Sequence, residues 1–399
     1  MNDLTLLLGT ETTHLKRSVI RDLLKLAFDP EIISLAGGLP ASELLPTNEF
    51  RKCVEAVLRR DGSRALQYSP QHLPLREWIA GYMQARGVCC EPDHVVITNG
   101  AQQGLAILSR LLLDPGQLAV IEAVTFTGIQ QVTAGRGARL RTIPTDLATG
   151  ADIDALEEAF REVPRPRLAI LIPDFHNPMG VSLTLEKRVR AAALAAEFGV
   201  PLIEDDPYSA LRFSGEALPP IKAFDEADLI FHVGSFSKMI APALRLGWII
   251  APANLLPKLM AVRESIDLES STLIQRAVAE FLARGLLEPH LDRLNAANYD
   301  RSNALLASLR EQLGHMATWS QPEGGLFTWV TLPANVDTDA IFPDAVERKV
   351  AYVPGSAFSV HAGHSNTMRL NFSNTSPEAI RKAIDRLAVV IRTYSQENV

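Results

Sequence analysis

Lysine is the side chain whose amine condenses with a carbonyl to give a Schiff base, and it needs a lowered pKa and a tight site to do so. The chain has nine lysines, and eight stand in helix-like or polar surroundings. Lys238, in Gly234-Ser-Phe-Ser-Lys238, is different. It closely follows a fully apolar run, lies beside the hydroxyls of Ser235 and Ser237, and is followed by Arg245. Three other apolar runs end in residues of chemical interest. Glu204-Asp-Asp-Pro-Tyr208 puts three carboxylates and a phenol at a strand end, which is costly unless a positive partner meets one of them. Asp174-Phe-His-Asn-Pro-Met-Gly180 presents the amide of Asn177 on a turn. Thr98-Asn-Gly-Ala-Gln-Gln-Gly104 opens an apolar helix with small residues, so the backbone N–H groups around Gly100, Ala101 and Gln102 are free to cradle a phosphate. Each feature also has a plain alternative: a solvated lysine, acids that reach water, an ordinary turn, an ordinary helix start.

The elements that position these residues are short apolar runs alternating with helical segments. His94 to Thr98, Leu118 to Glu122, Leu168 to Ile172, Val200 to Ile203, Leu229 to Val233 and Gly247 to Ala251 read as strands. Gly104 to Leu113 and Leu185 to Phe198 read as helices between them. This alternation predicts an α/β fold with a mostly parallel sheet covered by helices on both faces. Ligands of such sheets sit outside the carboxyl ends of the strands, where the residues above are found. The chain ends differ. Residues 14–30 form a short amphipathic stretch ahead of the loop Leu35-Ala-Gly-Gly-Leu-Pro40, and residues 291–314 read as one long helix. Strand candidates follow at Gly324 to Val330, Val350 to Val353 and Thr367 to Phe372. The predicted division is 1–50 as an N-terminal arm and part of a small domain, 51–296 as a large domain, and 297–399 as the rest of a smaller α+β domain built from the two chain ends.

Composition narrows the function classes. In 399 residues, 47% are hydrophobic and 21% charged, as expected of a soluble enzyme-sized chain. A net charge of −7 argues against nucleic acid as a partner, which requires a basic face. No apolar run approaches the ~20 residues of a membrane helix, and Leu4 to Leu8 is too short for a signal peptide core. Three cysteines, two of them adjacent at Cys89 and Cys90, make neither a disulfide framework nor a Cys-rich zinc site. The expected location is cytoplasmic. His361 and His364 have a metal-like spacing but no further ligands nearby, so no metal is expected. No G-x-G-x-x-G fingerprint or P-loop is present, which removes the usual support for nicotinamide or nucleoside triphosphate.

Taken together, the strand ends supply a phosphate cradle, an amide, a carboxylate, a phenol, a lysine and an arginine. Pyridoxal 5′-phosphate, with its phosphate, phenolic oxygen, pyridine nitrogen and aldehyde, is the cofactor that wants this set. The segment Gly234-Ser-Phe-Ser-Lys-Met-Ile-Ala-Pro-Ala-Leu-Arg-Leu-Gly247 resembles the lysine signature of fold-type I pyridoxal-phosphate enzymes, aminotransferase class I/II. His176-Asn-Pro-Met-Gly180, Glu204 to Tyr208 and Met368-Arg-Leu-Asn-Phe-Ser373 resemble further motifs of that family, in the expected order. The opening, Ser18 to Lys25 and then Ile33 to Pro46, is similar to the subgroup with 2-aminoadipate, kynurenine and multi-substrate aminotransferases.

The resemblance implies roles for matching positions. Lys238 would hold the cofactor and move the substrate Cα proton. Asp205 would pair with the pyridine nitrogen, and Tyr208 and Asn177 would bond the phenolic oxygen. The phosphate would rest on Gly100, Ala101, Gln102, Ser235, Ser237 and Arg245. Phe126 would stack on the ring, its alternative being a core aromatic. Tyr68 would reach the phosphate of a neighbouring subunit, which implies a homodimer with shared sites. Arg369 and Asn177 would bind the substrate carboxylate, a geometry that suits Arg. Gly38 and Arg21 would close over the substrate side chain. One departure is Met179, where the family motif usually has threonine; the position does not contact cofactor, so local packing is expected.

The implied reaction is ping-pong transamination between an L-amino acid (aromatic, branched-chain or 2-aminoadipate-like) and a 2-oxo acid, with 2-oxoglutarate and glutamate as the expected pair. The first alternative is another pyridoxal-phosphate reaction: a lyase, decarboxylase or racemase. Related decarboxylases commonly carry His before the lysine, where this chain has Ser237, and Arg369 suits a carboxylate that is kept. The second is the ligand-sensing half of a transcription regulator, against which stand a resemblance that begins by about residue 14 and the negative charge.

Overall fold

Seven strands between residues 95 and 250 form the central sheet of the computed structural model, which describes residues 7–9, 12, 15 and 29–397. In chain order they are β1 (Val95–Thr98), β2 (Leu118–Glu122), β3 (Arg139–Ile143), β4 (Leu168–Leu171), β5 (Leu202–Asp206), β6 (Ile230–Ser235) and β7 (Gly247–Ile250). Their spatial order is β1-β7-β6-β5-β4-β2-β3. The pairs from β6 through β3 are parallel, and β7 runs antiparallel to both its neighbours.

The strands are apolar because both faces are covered. Alternate side chains point to opposite faces, so Ile121, Ile170, Ile203 and Val233 join Leu105 and Leu108 of helix α1 (Ala101–Leu112) in one core. Val120, Ala169, Leu171 and Leu202 join Phe160, Ala191 and Ala195 in a core on the other face. Among the described residues no helix is long and apolar enough to cross a membrane.

Two differences from the sequence reading have physical causes. Strand β3, Arg-Leu-Arg-Thr-Ile, lies at the sheet edge with exposed and half-buried side chains, so it lacks the apolar run that marks its neighbours. Strand β5 starts at Leu202 and extends through Asp206, so the carboxylates lie inside the sheet and not after it. Burial of Glu204 is made tolerable by the backbone N–H groups of Ile221 and Lys222, which donate to it at 2.6 and 3.2 Å.

The second layer is a four-stranded antiparallel sheet of β8 (Thr318–Trp319), β9 (Phe327–Thr331), β10 (Val353–Pro354) and β11 (Thr367–Asn371), in the order β8-β9-β11-β10. Two long helices, Leu287–Leu313 and Pro377–Glu397, pack on it around Leu305, Leu309, Leu370 and Ile384. Ile33–Ser34 pairs parallel to Val350–Ala351, and Leu35 donates to Ala351 at 2.7 Å and accepts from Asn371 at 2.8 Å. Both chain ends thus build this layer, and its loop from Ala36 to Leu39 is brought over the carboxyl edge of the large sheet.

Candidate active site

The carboxyl ends of β1, β2, β4, β5 and β6 border a cavity of about 460 Å³, lined by Ala101, Gln102, Phe126, Asn177, Asp205, Tyr208, Ser235, Ser237, Lys238 and Arg245, and from the other layer by Gly38, Phe327 and Arg369. Its lower end is a nest of hydrogen-bond donors. Gly100 caps α1 with φ +84, leaving the first N–H groups of the helix unpaired within it. The Arg245 guanidinium crosses this turn, donating to the carbonyl oxygen of Asn99 at 3.0 Å and to Ser237 Oγ at 3.4 Å. Ser235 Oγ accepts from the backbone of Ser237 at 3.1 Å and fixes the turn that carries Lys238.

Lys238 is half-buried, and its Nζ donates to the carbonyl oxygen of Gly38 at 2.6 Å. Burial, with the positive charges of Arg369 and Arg245, brings its amine down to about 8. Asp205 shows the opposite response. Its carboxyl is 2% exposed, and burial, reinforced by the charge of Asp206, pushes it up to about 8. Among the described residues Asp205 Oδ1 has no hydrogen-bond partner. A buried carboxylate oxygen left alone at the edge of a cavity is a site for a cation.

Asn177 links two further groups, donating to Tyr208 Oη at 3.3 Å and accepting from Arg369 Nη1 at 2.9 Å. Burial raises the Tyr208 phenol above its ordinary range. Arg369 is 2% exposed and sits between the rings of Phe327 and Phe358, its guanidinium 4.2 and 4.8 Å from their centroids. Its other bonds go to backbone: Nη2 donates to the carbonyl oxygens of Ala36 and Gly37. Among the described residues no carboxylate is paired with it, and burial draws it down to about 10. A buried guanidinium in that state invites an anionic ligand.

Phe126 caps the helix Thr127–Ala134 and is held from beneath by Gly128, where a Cβ would fall 2.3 Å from the Phe126 ring and 2.1 Å from Gln102 Oε1. Met179 is buried against Val124, Trp329 and Phe358, which is local packing. Tyr68 is not brought to this cavity within the chain: it is 79% exposed and lines a separate hollow with Arg263 and Glu269. Arg21 lies outside the described residues. Sequence reasoning missed Phe327, Phe358 and Gly128. Apolar residues and glycines carry no chemical signature, and only the fold brings these against Arg369 and Phe126. Among the described residues no group of three or more His, Cys, Asp and Glu is assembled for a metal.

The family model for aminotransferase class I and II matches residues 32–387. The chain belongs to this family. It is an aminotransferase, and the family's cofactor is pyridoxal 5′-phosphate. It is similar to aromatic-amino-acid aminotransferase 1 of Thermococcus litoralis, with 37% identity over 385 residues covering 95% of this chain and 92% of that protein. It is 35% identical to the 2-aminoadipate transaminase of Thermus thermophilus over 389 residues, 96% of each. Among solved structures, kynurenine aminotransferase of Pyrococcus horikoshii in complex with PMP superposes with a TM-score of 0.93 at 33% identity, covering 98% of both chains. The residues of this site fit the family's cofactor: the orphaned Asp205 Oδ1 suits a ring cation, the donors around Gly100 and Arg245 suit a phosphate, and Lys238 and Arg369 line the same cavity.

Proposed function

We propose that this aminotransferase transfers the amino group of an L-amino acid (aromatic, branched-chain or 2-aminoadipate-like) to a 2-oxo acid, 2-oxoglutarate, in two half-reactions. The observation that carries the reading is Arg369, a buried cation without a carboxylate partner among the described residues, lining the cavity that also holds Lys238 and Asp205. When bound, the cofactor supplies an aldehyde that takes up the amino group and a ring that delocalises the electron pair released at the substrate Cα.

The chain's own residues do the rest. Asp205 would pair with the ring nitrogen and stabilise a positive charge there in a dry setting. Tyr208 and Asn177 hold the phenolic oxygen, and Asn177 joins it to the group that binds substrate. Arg369 grips the α-carboxylate with two parallel hydrogen bonds. Lys238, its amine brought down to about 8 by burial and the charges of Arg369 and Arg245, would hold the cofactor and take the proton from the substrate Cα. Holding the carboxylate on Arg369 favours transamination over decarboxylation. The named relatives act on aromatic amino acids, 2-aminoadipate and kynurenine, which supports this substrate range. We further propose a cytoplasmic homodimer in which Tyr68 completes the neighbour's phosphate site.

Single amino acids added to the pyridoxal-phosphate-loaded protein test the reading through the visible absorbance of the bound cofactor. Aromatic, branched-chain or 2-aminoadipate substrates should bleach it with release of the matching 2-oxo acid, and 2-oxoglutarate should restore it. Release of carbon dioxide or a racemised amino acid in place of the 2-oxo acid would contradict transamination.

A further inference from the structure

Behind the site, on the far face of β5, lies a buried charge cluster that the mechanism above does not use. Side chains alternate along a strand, so Glu204 and Asp206 project away from the face that carries Asp205. Asp206 accepts from the backbone N–H of Ser209 at 3.0 Å and from the Ser209 hydroxyl at 2.7 Å, and forms an ion pair with Arg86, whose Nη1 lies 2.9 Å from it. Arg86 follows the helix Leu73–Ala85, and its guanidinium lies 5.5 Å from the ring centroid of Tyr82, which stacks on Trp78 at 5.2 Å. Its position is therefore fixed by packing. The ionisable groups facing Asp206 are Arg86, Tyr82, Asp174, Glu204, Asp205 and His232, whose Nε2 is 3.9 Å away. Arg86 is the permanent cation among them.

We propose that the Arg86–Asp206 pair is a positioning device for the cofactor site: Arg86 neutralises the second acid of the strand so that Asp205 alone presents its charge to the ring nitrogen, and Asp206, through Ser209, fixes the adjoining Tyr208. The inference rests on the cofactor reading given above. Its physical basis is that two neighbouring carboxylates in a dry site raise one another, so the one facing the cavity ionises readily only while the other is compensated. In keeping with this, Asp206 is held down to about 2, with Arg86 as the largest stabilising influence, while it pushes Asp205 upward. A pair that merely tied the Leu73–Ala85 helix to the sheet would not need to grip the residue after Tyr208 twice.

The test compares Arg86→Met, Arg86→Lys and the double variant Arg86→Met/Asp206→Asn with the wild type. Three quantities are read: pyridoxal-phosphate affinity of the cofactor-free protein, the pH midpoint of the bound cofactor's visible absorbance, and the Tm of the cofactor-free protein. Arg86→Met should weaken cofactor binding by about tenfold, the equivalent of one pKa unit at Asp205. It should also shift the absorbance midpoint upward, because a lost cation favours the protonated chromophore. Arg86→Lys, which restores the charge, should recover most of both. The double variant, which removes both charges, should bind cofactor more tightly than Arg86→Met alone. A lowered Tm with unchanged affinity and midpoint would overturn the proposal, as would a double variant no better than the single one. If Arg86→Met does not fold, Arg86→Gln takes its place in the same comparisons. Failure of the wild type to take up cofactor would instead remove the underlying reading.

Discussion

Asp205 and Lys238 sit on one cavity wall, and burial moves both toward about 8 from opposite sides. The sign of the consequence differs. An unfolded Asp releases its proton near about 4, whereas Asp205 in the folded, cofactor-free protein holds it up to about 8. The native state therefore binds the extra proton between those values, and its stability falls as pH rises through that window. Lys238 acts above it: the folded amine is neutral from about 8 while the unfolded one stays charged, so its contribution grows more favourable toward about pH 10. Thermal melts of the cofactor-free protein from pH 5 to 8 should show a declining Tm that Asp205→Asn flattens. Parallel profiles would mean that Asp205 is already compensated. Lys238 and the acidic triplet were legible in the sequence because charged types directly after apolar runs are conspicuous. Strand parity separates Asp205 from Asp206, and Arg86, more than a hundred residues upstream, had no local signal at all.

The turn between β1 and α1 is a single element that serves both fold and site. Gly100 has φ +84 and ψ 169, a combination open essentially to glycine alone. A Cβ there would also lie 2.7 Å from Arg245 Nη2. Gly100→Ala should cost about 1–3 kcal/mol of stability. It should also weaken binding of pyridoxal phosphate more than that of pyridoxal, since it displaces the phosphate donors. Equal loss for both ligands would place the damage elsewhere. The start of α1 and the strands buried on both faces were readable from apolar runs and small residues. The edge strand β3 was not, because exposure removes its pattern. The end of β5 was not either: whether an acid lies inside or beyond a strand depends on donors such as the Ile221 N–H, which another loop supplies.

At the scale of the molecule, the two chain ends meet in one layer, so the Ala36–Leu39 loop and Arg369 approach the large sheet together. The surface bearing Tyr68 is apolar and open: Leu66 and Leu268 are each 70% exposed there, beside a hollow of about 730 Å³. A second copy covering this face would deliver Tyr68 to the neighbour's phosphate. In a mixed dimer with Tyr68→Phe in one chain and Lys238→Ala in the other, one site keeps both residues, so about half the wild-type activity is expected (one of two sites). Activity no higher than half that of the Tyr68→Phe parent would mean that each site is built within one chain. Two-layer architecture was legible because the strand–helix rhythm changes near residue 290, and a smaller layer built from both chain ends was expected; the register that pairs Ile33–Ser34 with Val350–Ala351 was not legible, since contacts across three hundred residues leave no periodic trace.

The central claim is that Lys238 is the residue to which the cofactor is joined. Borohydride reduction of the pyridoxal-phosphate-loaded protein, followed by peptide mapping, should find the phosphopyridoxyl group on Lys238 at one per chain, and Lys238→Ala should take up none in that position. The label on any of the other eight lysines, or an unlabelled Lys238 in an active preparation, would contradict the account.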